Sequence, residues 1–258
     1  MTTTQFLLSA WKWNPGVLMA GGAVLAAYVA AFRCNRRIGW FAAGVGVFLR
    51  TLLSPLDALA DGYLFSAHMV QHILLLLIVP ALLLLGLPLS QSLAARPRWL
   101  GHPLVGWAAG VGAMWLWHAS ALCNAAASSH PVQVLQTVSL VALGSVFWQQ
   151  ILAPREEERL SPPGAVLYLF SACVACSVLG IIITFSPVAV CSIYSMPPTD
   201  RLEMLPTIRA GWGFTPDRDQ QIGGLLMWVP MCLIYLSAIC AQIARWFAEP
   251  ANPAAQQR

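Results

Sequence analysis

Charge is what this chain has least of. Only 9% of its 258 residues are charged, against roughly 25% in an ordinary soluble domain, so water is not its main solvent. Catalytic signatures are missing too. No nucleophile elbow, no HExxH run and no carboxylate pair appears, which argues against a conventional hydrolase. A cleavable leader is not expected, because residues 1–10 hold no basic residue, and Arg33, Arg36 and Arg37 follow the first apolar block instead of preceding it. The net charge of +4 is spread over short loops and forms no patch for nucleic acid.

What is present is apolar length. Hydrophobic residues make up 58% of the chain, and several blocks approach the ~20 residues that carry a helix across a ~30 Å hydrocarbon core. The expected architecture is all-α: a single polytopic membrane bundle of about seven spans. The spans fall near residues 16–32, 38–54, 63–86, 103–121, 131–152, 164–185 and 221–246. Turn signals separate them, among them Ser54-Pro55, Leu87-Pro88, Arg96-Pro97, His130-Pro131, Pro154 and Pro162-Pro163. Residues 186–220 form the one long loop, with Pro187, Pro197, Pro198, Pro206 and Pro216. The stretch after Glu249 reads as a short disordered tail.

The basic residues give a direction. With the N-terminus outside, Arg33, Arg36, Arg37, Arg96, Arg98, Arg155, Arg159, Arg245 and Arg258 lie inside, against Lys12, Arg50, Arg201, Arg209 and Arg218 outside. That excess favours an N-out, C-in chain, with Arg50 snorkelling toward the outer surface.

This direction sorts the histidines. His102 falls on the inner side, while His68, His72, His118 and His130 fall in or near the outer halves of their spans. Ionisable groups at membrane depth are functional candidates. His68 and His72, in His68-Met69-Val70-Gln71-His72, project from one helical face roughly 6 Å apart along the axis. That spacing lets one helix offer two nitrogens to a metal. A hydrogen-bonded pair in a wet cavity is the structural alternative. His118 lies at similar depth, with Met114 one turn deeper on its own face. Imidazole with thioether suits Cu(I) and favours copper over zinc. Met69 points away from the histidine stripe and ranks as the weaker methionine.

Asp61 shares the His68 stripe if that helix starts early, and would then serve as an acceptor behind the ligands, as would Gln71. The last span opens with Asp219-Gln220-Gln221-Ile222-Gly223-Gly224, followed by Met227 at a depth comparable to the histidines. Its glycines read first as a close-packing face, and Asp219 suits a helix N-terminus whatever its role. The seven cysteines make no framework. Cys173-Val174-Ala175-Cys176 reads as helix packing, and Cys123 and Cys191 both fall outside, where oxidation is possible.

The runs Ser54-Pro55-Leu56-Asp57, His68-Met69-Val70-Gln71-His72, Leu85-Gly86-Leu87-Pro88, Trp115-Leu116-Trp117-His118 and Asp219 to Pro230 together resemble the CtaG family of cytochrome c oxidase assembly proteins, the type associated with caa3 oxidases. They extend from the second span to the seventh. The resemblance implies a non-enzymatic assembly factor of the bacterial cytoplasmic membrane that serves a haem–copper oxidase, acting in copper supply. Oxidase subunits or a periplasmic copper chaperone are the implied partners. The start of the fifth span departs from the expected pattern, with Gln136 where a histidine would fit, so His130 carries less weight than the other three. A single-span copper chaperone that shares the family's name is excluded by the seven spans and the lack of Cys-x-Cys. Two other readings stay open: a haem-binding redox protein, for which an inner tier of histidines is missing, and a copper permease.

Overall fold

The computed structural model describes residues 3–33, 35–90, 97–197 and 200–248. Arg96, Arg258, Pro198 and the tail after Glu249, all used in the sequence reading, lie outside them. Among the described residues the chain is helical, without strands. The helices are α1 (Thr3–Ser9), α2 (Pro15–Phe32), α3 (Ile38–Leu53), α4 (Pro55–Ala60), α5 (Phe65–Ile73), α6 (Val79–Gly86), α7 (Pro103–Trp117), α8 (Ser120–Ser128), α9 (His130–Leu152), α10 (Pro162–Phe185), α11 (Ser192–Ser195) and α12 (Pro216–Ala248). A π-helical segment, Leu74–Ile78, joins α5 to α6 into one continuous rod.

Five of these rods are long and apolar enough to cross a membrane: α2, α5–α6, α9, α10 and α12. The other two apolar blocks are shorter. The 16 residues of α3 and 15 of α7 reach about 24 and 22 Å. The apolar blocks therefore all become helices, and their outward faces stay apolar: Leu167, Phe170, Leu233 and Leu236 are exposed, as a lipid-facing surface requires. This chain is an all-α membrane bundle.

Proline sets the shape of the α5–α6 rod. Pro80 has no N–H for the carbonyl four residues back, Leu76, and its ring crowds that carbonyl. The π turn at Leu74–Ile78 absorbs the crowding. Gly144 of α9 then lies directly against the Leu76 carbonyl, where any Cβ would collide.

Two adjacent glycines place α12. A Cβ on Gly223 would stand 2.5 Å from the Phe65 ring, and one on Gly224 would stand 2.6 Å from the Thr184 amide nitrogen. Each glycine thus opens one flank, and α12 wedges between α5 and α10. The small-residue face expected from the sequence is used on both sides.

The bundle has two unlike ends. One holds the N-termini of α5, α9 and α12 with the C-termini of α3, α7 and α10. The segment between α10 and α12 caps it, together with α1. Phe6, Tyr63, Leu64, Met204 and Ile208 form a separate small core there, and Cys123 and Cys191 are joined in a disulfide. The opposite end is rimmed with arginine. Arg37 donates to the Leu85 and Leu87 carbonyls, and Arg159 to those of Ala153 and Pro154.

Candidate metal site

The capped end holds the imidazoles. His68 and His72, one turn apart on α5, face each other with Nε2 atoms 3.1 Å apart and ring centroids 4.5 Å apart. His118, the residue at which α7 stops, brings a third ring to 4.9 Å from His72. All three are buried, His72 to 1% exposure.

His118 has a fixed tautomer. Its Nδ1 lies 2.5 Å from the Met114 carbonyl oxygen. A carbonyl can only accept, so Nδ1 carries the proton, and in the neutral ring Nε2 keeps its lone pair. That lone pair faces the Met69 sulfur at 3.0 Å. Two electron-pair donors therefore meet with no proton between them. The contact suits an electron-pair acceptor: a soft cation held by imidazole and thioether.

The His68–His72 pair has a related shortage. The contact between the two Nε2 atoms has room for no more than one proton, while His72 Nδ1 is buried without a partner. A buried polar atom left this way costs about 1–3 kcal/mol. Two imidazole nitrogens on one tetrahedral metal, each roughly 2.0–2.1 Å from it, stand about 3.3 Å apart, close to the 3.1 Å seen. Among the described residues, no three His, Cys, Asp or Glu side chains converge as a ready cage. The donors instead come as an imidazole pair and an imidazole–thioether pair. That set fits a soft, low-coordinate ion and does not fit a closed zinc site.

The other sequence candidates hold the site in place. Asp219 of α12 accepts from the Phe65 and Ser66 amides at 2.7 and 3.0 Å. It caps α5 from another helix, since Leu64 offers no side-chain cap of its own. Gln220 accepts from the Val190 amide and donates to the Ile183, Ser186 and Val188 carbonyls, which ties the chain leaving α10 to α12. Gln71 points away from the imidazoles and donates to the Thr51 carbonyl and to Asp57. Met114 and Met227 are fully buried in the main core.

Asp61 stands elsewhere than the stripe reading put it. It ends α4, Gly62 follows at φ +98°, and α5 begins only at Phe65, so no continuous helix carries Asp61 onto the His68 face. Its partner is Lys12, the chain's only lysine, at 2.7 Å, with Asp57 at 2.9 Å from the same ammonium. Burial lowers the Lys12 pKa, but the two carboxylates outweigh it and hold the ammonium above its usual 10.5. Lys12, Asp61, His130 and Gln133 line a crevice of about 420 Å³ that opens at this end. His130 therefore faces the crevice, and the imidazole cluster is built without it.

One neighbour of the cluster ranked low among the sequence candidates and another was not among them. Met69 ranked as the weaker methionine because it leaves the face of α5 that His68 and His72 share, yet His118 at the end of α7 meets it from that other side. Tyr194 packs its ring 5.7 Å from His68 and donates its hydroxyl to the Ala60 carbonyl. Burial, then Asp61, Asp219 and Asp57, raises its pKa well above 10, so it remains a donor. Met69 was legible in the motif; Tyr194 sits on the short α11, in the segment between α10 and α12, with no signal.

Fold and site together define a membrane helix bundle with a buried imidazole and thioether cluster at one end. The family model for cytochrome c oxidase caa3 assembly factors matches residues 23–249, and the chain belongs to this family. Uncharacterised proteins of Mycobacterium bovis and Mycobacterium tuberculosis are each 22% identical over 292 residues, covering 99% of this chain and 42% of the relative. An uncharacterised protein of Mycobacterium leprae is 23% identical over 250 residues, covering 85% of this chain and 37% of the relative. The chain spans about two-fifths of the length of these curated relatives. No solved structure matches it.

Proposed function

We propose that this chain is a non-enzymatic assembly factor that holds copper, as Cu(I), and passes it to a haem–copper oxidase during maturation. The observation that carries the proposal is the His118–Met69 contact, in which a carbonyl-fixed tautomer leaves a nitrogen lone pair against sulfur. His68 with His72 would hold the ion as one pair of donors, and His118 with Met69 as the other; Met114 and Met227 are buried in the main core. A Cu(I) ion so held is a closed-shell cargo, and soft donors keep it from water and from oxidation.

The orientation belongs to the same reading. The Cys123–Cys191 disulfide lies at the imidazole end, and disulfides persist on oxidising faces. The arginine rim lies at the other end, as the positive-inside rule requires. Both favour N-out and C-in, in a bacterial cytoplasmic membrane, with the copper site facing the periplasm. Its partner there would be an oxidase subunit or a copper chaperone.

A haem reading fits less well. The spacings of 4.5 Å between His68 and His72, and 4.9 Å between His72 and His118, leave no slot for a macrocycle in either gap. Deletion of the gene should lower oxidase activity and oxidase copper, with recovery on added copper. Normal activity and normal copper in the deletion strain would refute the proposal.

A further inference from the structure

A second group of reactive side chains lies away from the imidazoles, between α10 and α12. The Cys173 thiol donates to the Cys232 sulfur at 3.3 Å. Ser177, one turn along α10, touches Cys232 at 3.1 Å and donates to the Cys173 carbonyl at 2.7 Å. These two cysteines come from different helices, 59 residues apart in sequence, so the reading of Cys173 and Cys176 as one packing pair accounts for neither contact. Cys176 turns inward, buried beside the Tyr235 hydroxyl. Cys173 and Cys232 are each only half-buried.

Their surroundings select the reagent. Phe170 precedes Cys173 by three residues, and Val229 and Leu236 flank Cys232 by three and four; all three side chains are exposed and apolar. In a membrane bundle such a surface meets hydrocarbon, so a molecule that reaches these sulfurs must be dissolved in the lipid. Cys232 lies five residues past Met227, about 7.5 Å further along α12, clear of the capped end.

We propose that Cys173 and Cys232 are a redox-active dithiol, oxidised to an interhelical disulfide by a lipid-soluble quinone. Each thiol gives up its hydrogen and one S–S bond forms. The two electrons and two protons pass to the quinone, which leaves as hydroquinone. The two sulfurs already stand in contact at 3.3 Å, so the bond forms between neighbouring side chains. The product pins α10 to α12 below the wedge that Gly223 and Gly224 create. This inference does not depend on the copper reading.

The test uses the full chain in lipid nanodiscs, reduced under conditions that spare the Cys123–Cys191 bond. It is then treated with a fully substituted short-chain benzoquinone, which cannot alkylate. The expected result is loss of two thiols per chain by maleimide mass tagging, with one new cross-linked peptide pair containing Cys173 and Cys232. Cys173→Ser and Cys232→Ser should each abolish that pair. A sulfonated, water-confined quinone should react at least tenfold more slowly. An unchanged thiol count, or a new bond to another cysteine, would overturn the dithiol; equal rates with both quinones would overturn the lipid route.

Discussion

The two ends of the bundle use polar side chains in opposite ways. At the arginine end, Arg37 and Arg159 donate to carbonyls at helix ends, and Gln150 does the same for the Leu100 carbonyl at 3.1 Å. These groups complete the backbone and leave nothing aimed at a ligand. At the capped end, Asp219 and Gln220 do comparable work for α5 and the loop after α10. Of the imidazoles there, only His118 does this, through Nδ1 at the Met114 carbonyl. The three rings are buried against each other and against a thioether, with lone pairs facing inward and His72 Nδ1 unpartnered. Leftover capacity is not confined to the imidazoles, since Gln136 Nε2 and Trp148 Nε1 are also buried without a partner; what singles out the imidazoles is that they converge on one another and on a thioether.

The sharpest way to break this contrast is to empty one end and then the other. His72→Ala or His118→Ala should reduce Cu(I) affinity at least about 100-fold in titrations against a chromophoric chelator. Arg37→Gln at the far end should leave the affinity unchanged. Removing the disulfide with Cys123→Ala and Cys191→Ala should cost about 2–4 kcal/mol in unfolding free energy. That loss would be read as an earlier thermal transition in detergent, with the copper stoichiometry retained.

Met69→Leu is a volume-conserving swap that should cost less than about 1.5 kcal/mol in stability. If the sulfur is a donor, it should nevertheless weaken Cu(I) binding roughly tenfold. Equal copper affinity in the variant would assign Met69 to packing alone. Asp219→Asn keeps one acceptor for α5 where two are needed, and should cost about 1 kcal/mol.

The smallest effect belongs to Lys12. Its pKa is raised in the folded chain, so the pairing with Asp57 and Asp61 contributes fully below pH 10.5 and fades only as the pH rises beyond that. The stability difference between wild type and Lys12→Met should therefore stay constant from pH 6 to 9 and shrink above pH 10.5. A difference that instead vanished near neutrality would place the ammonium's titration far lower.

These variants also trace what could be read from the sequence. The apolar blocks announced the helices because a membrane demands long apolar runs, and His68 and His72 announced themselves by helical spacing. The rest depended on relations between helices. Met69 was discounted because a stripe on one helix sees only one side, whereas His118 reaches α5 from another. Asp61 would share the His68 stripe only if that helix started early, and the positive-φ turn at Gly62 ends that possibility. Cys123 and Cys191 were both expected at one end, but their pairing required the folded loop. Cys173 and Cys232 share no motif at all, and only the packing of α10 on α12 brings them together.

The measurement that bears most directly on the account is the copper content of the purified chain after Cu(I) loading and desalting. Wild type would be compared with His72→Ala, His118→Ala and Arg37→Gln, each checked for folding by its thermal transition. The account predicts stoichiometric copper in wild type and Arg37→Gln, and near-zero copper in the two histidine variants. Equal copper in all four folded proteins would contradict it.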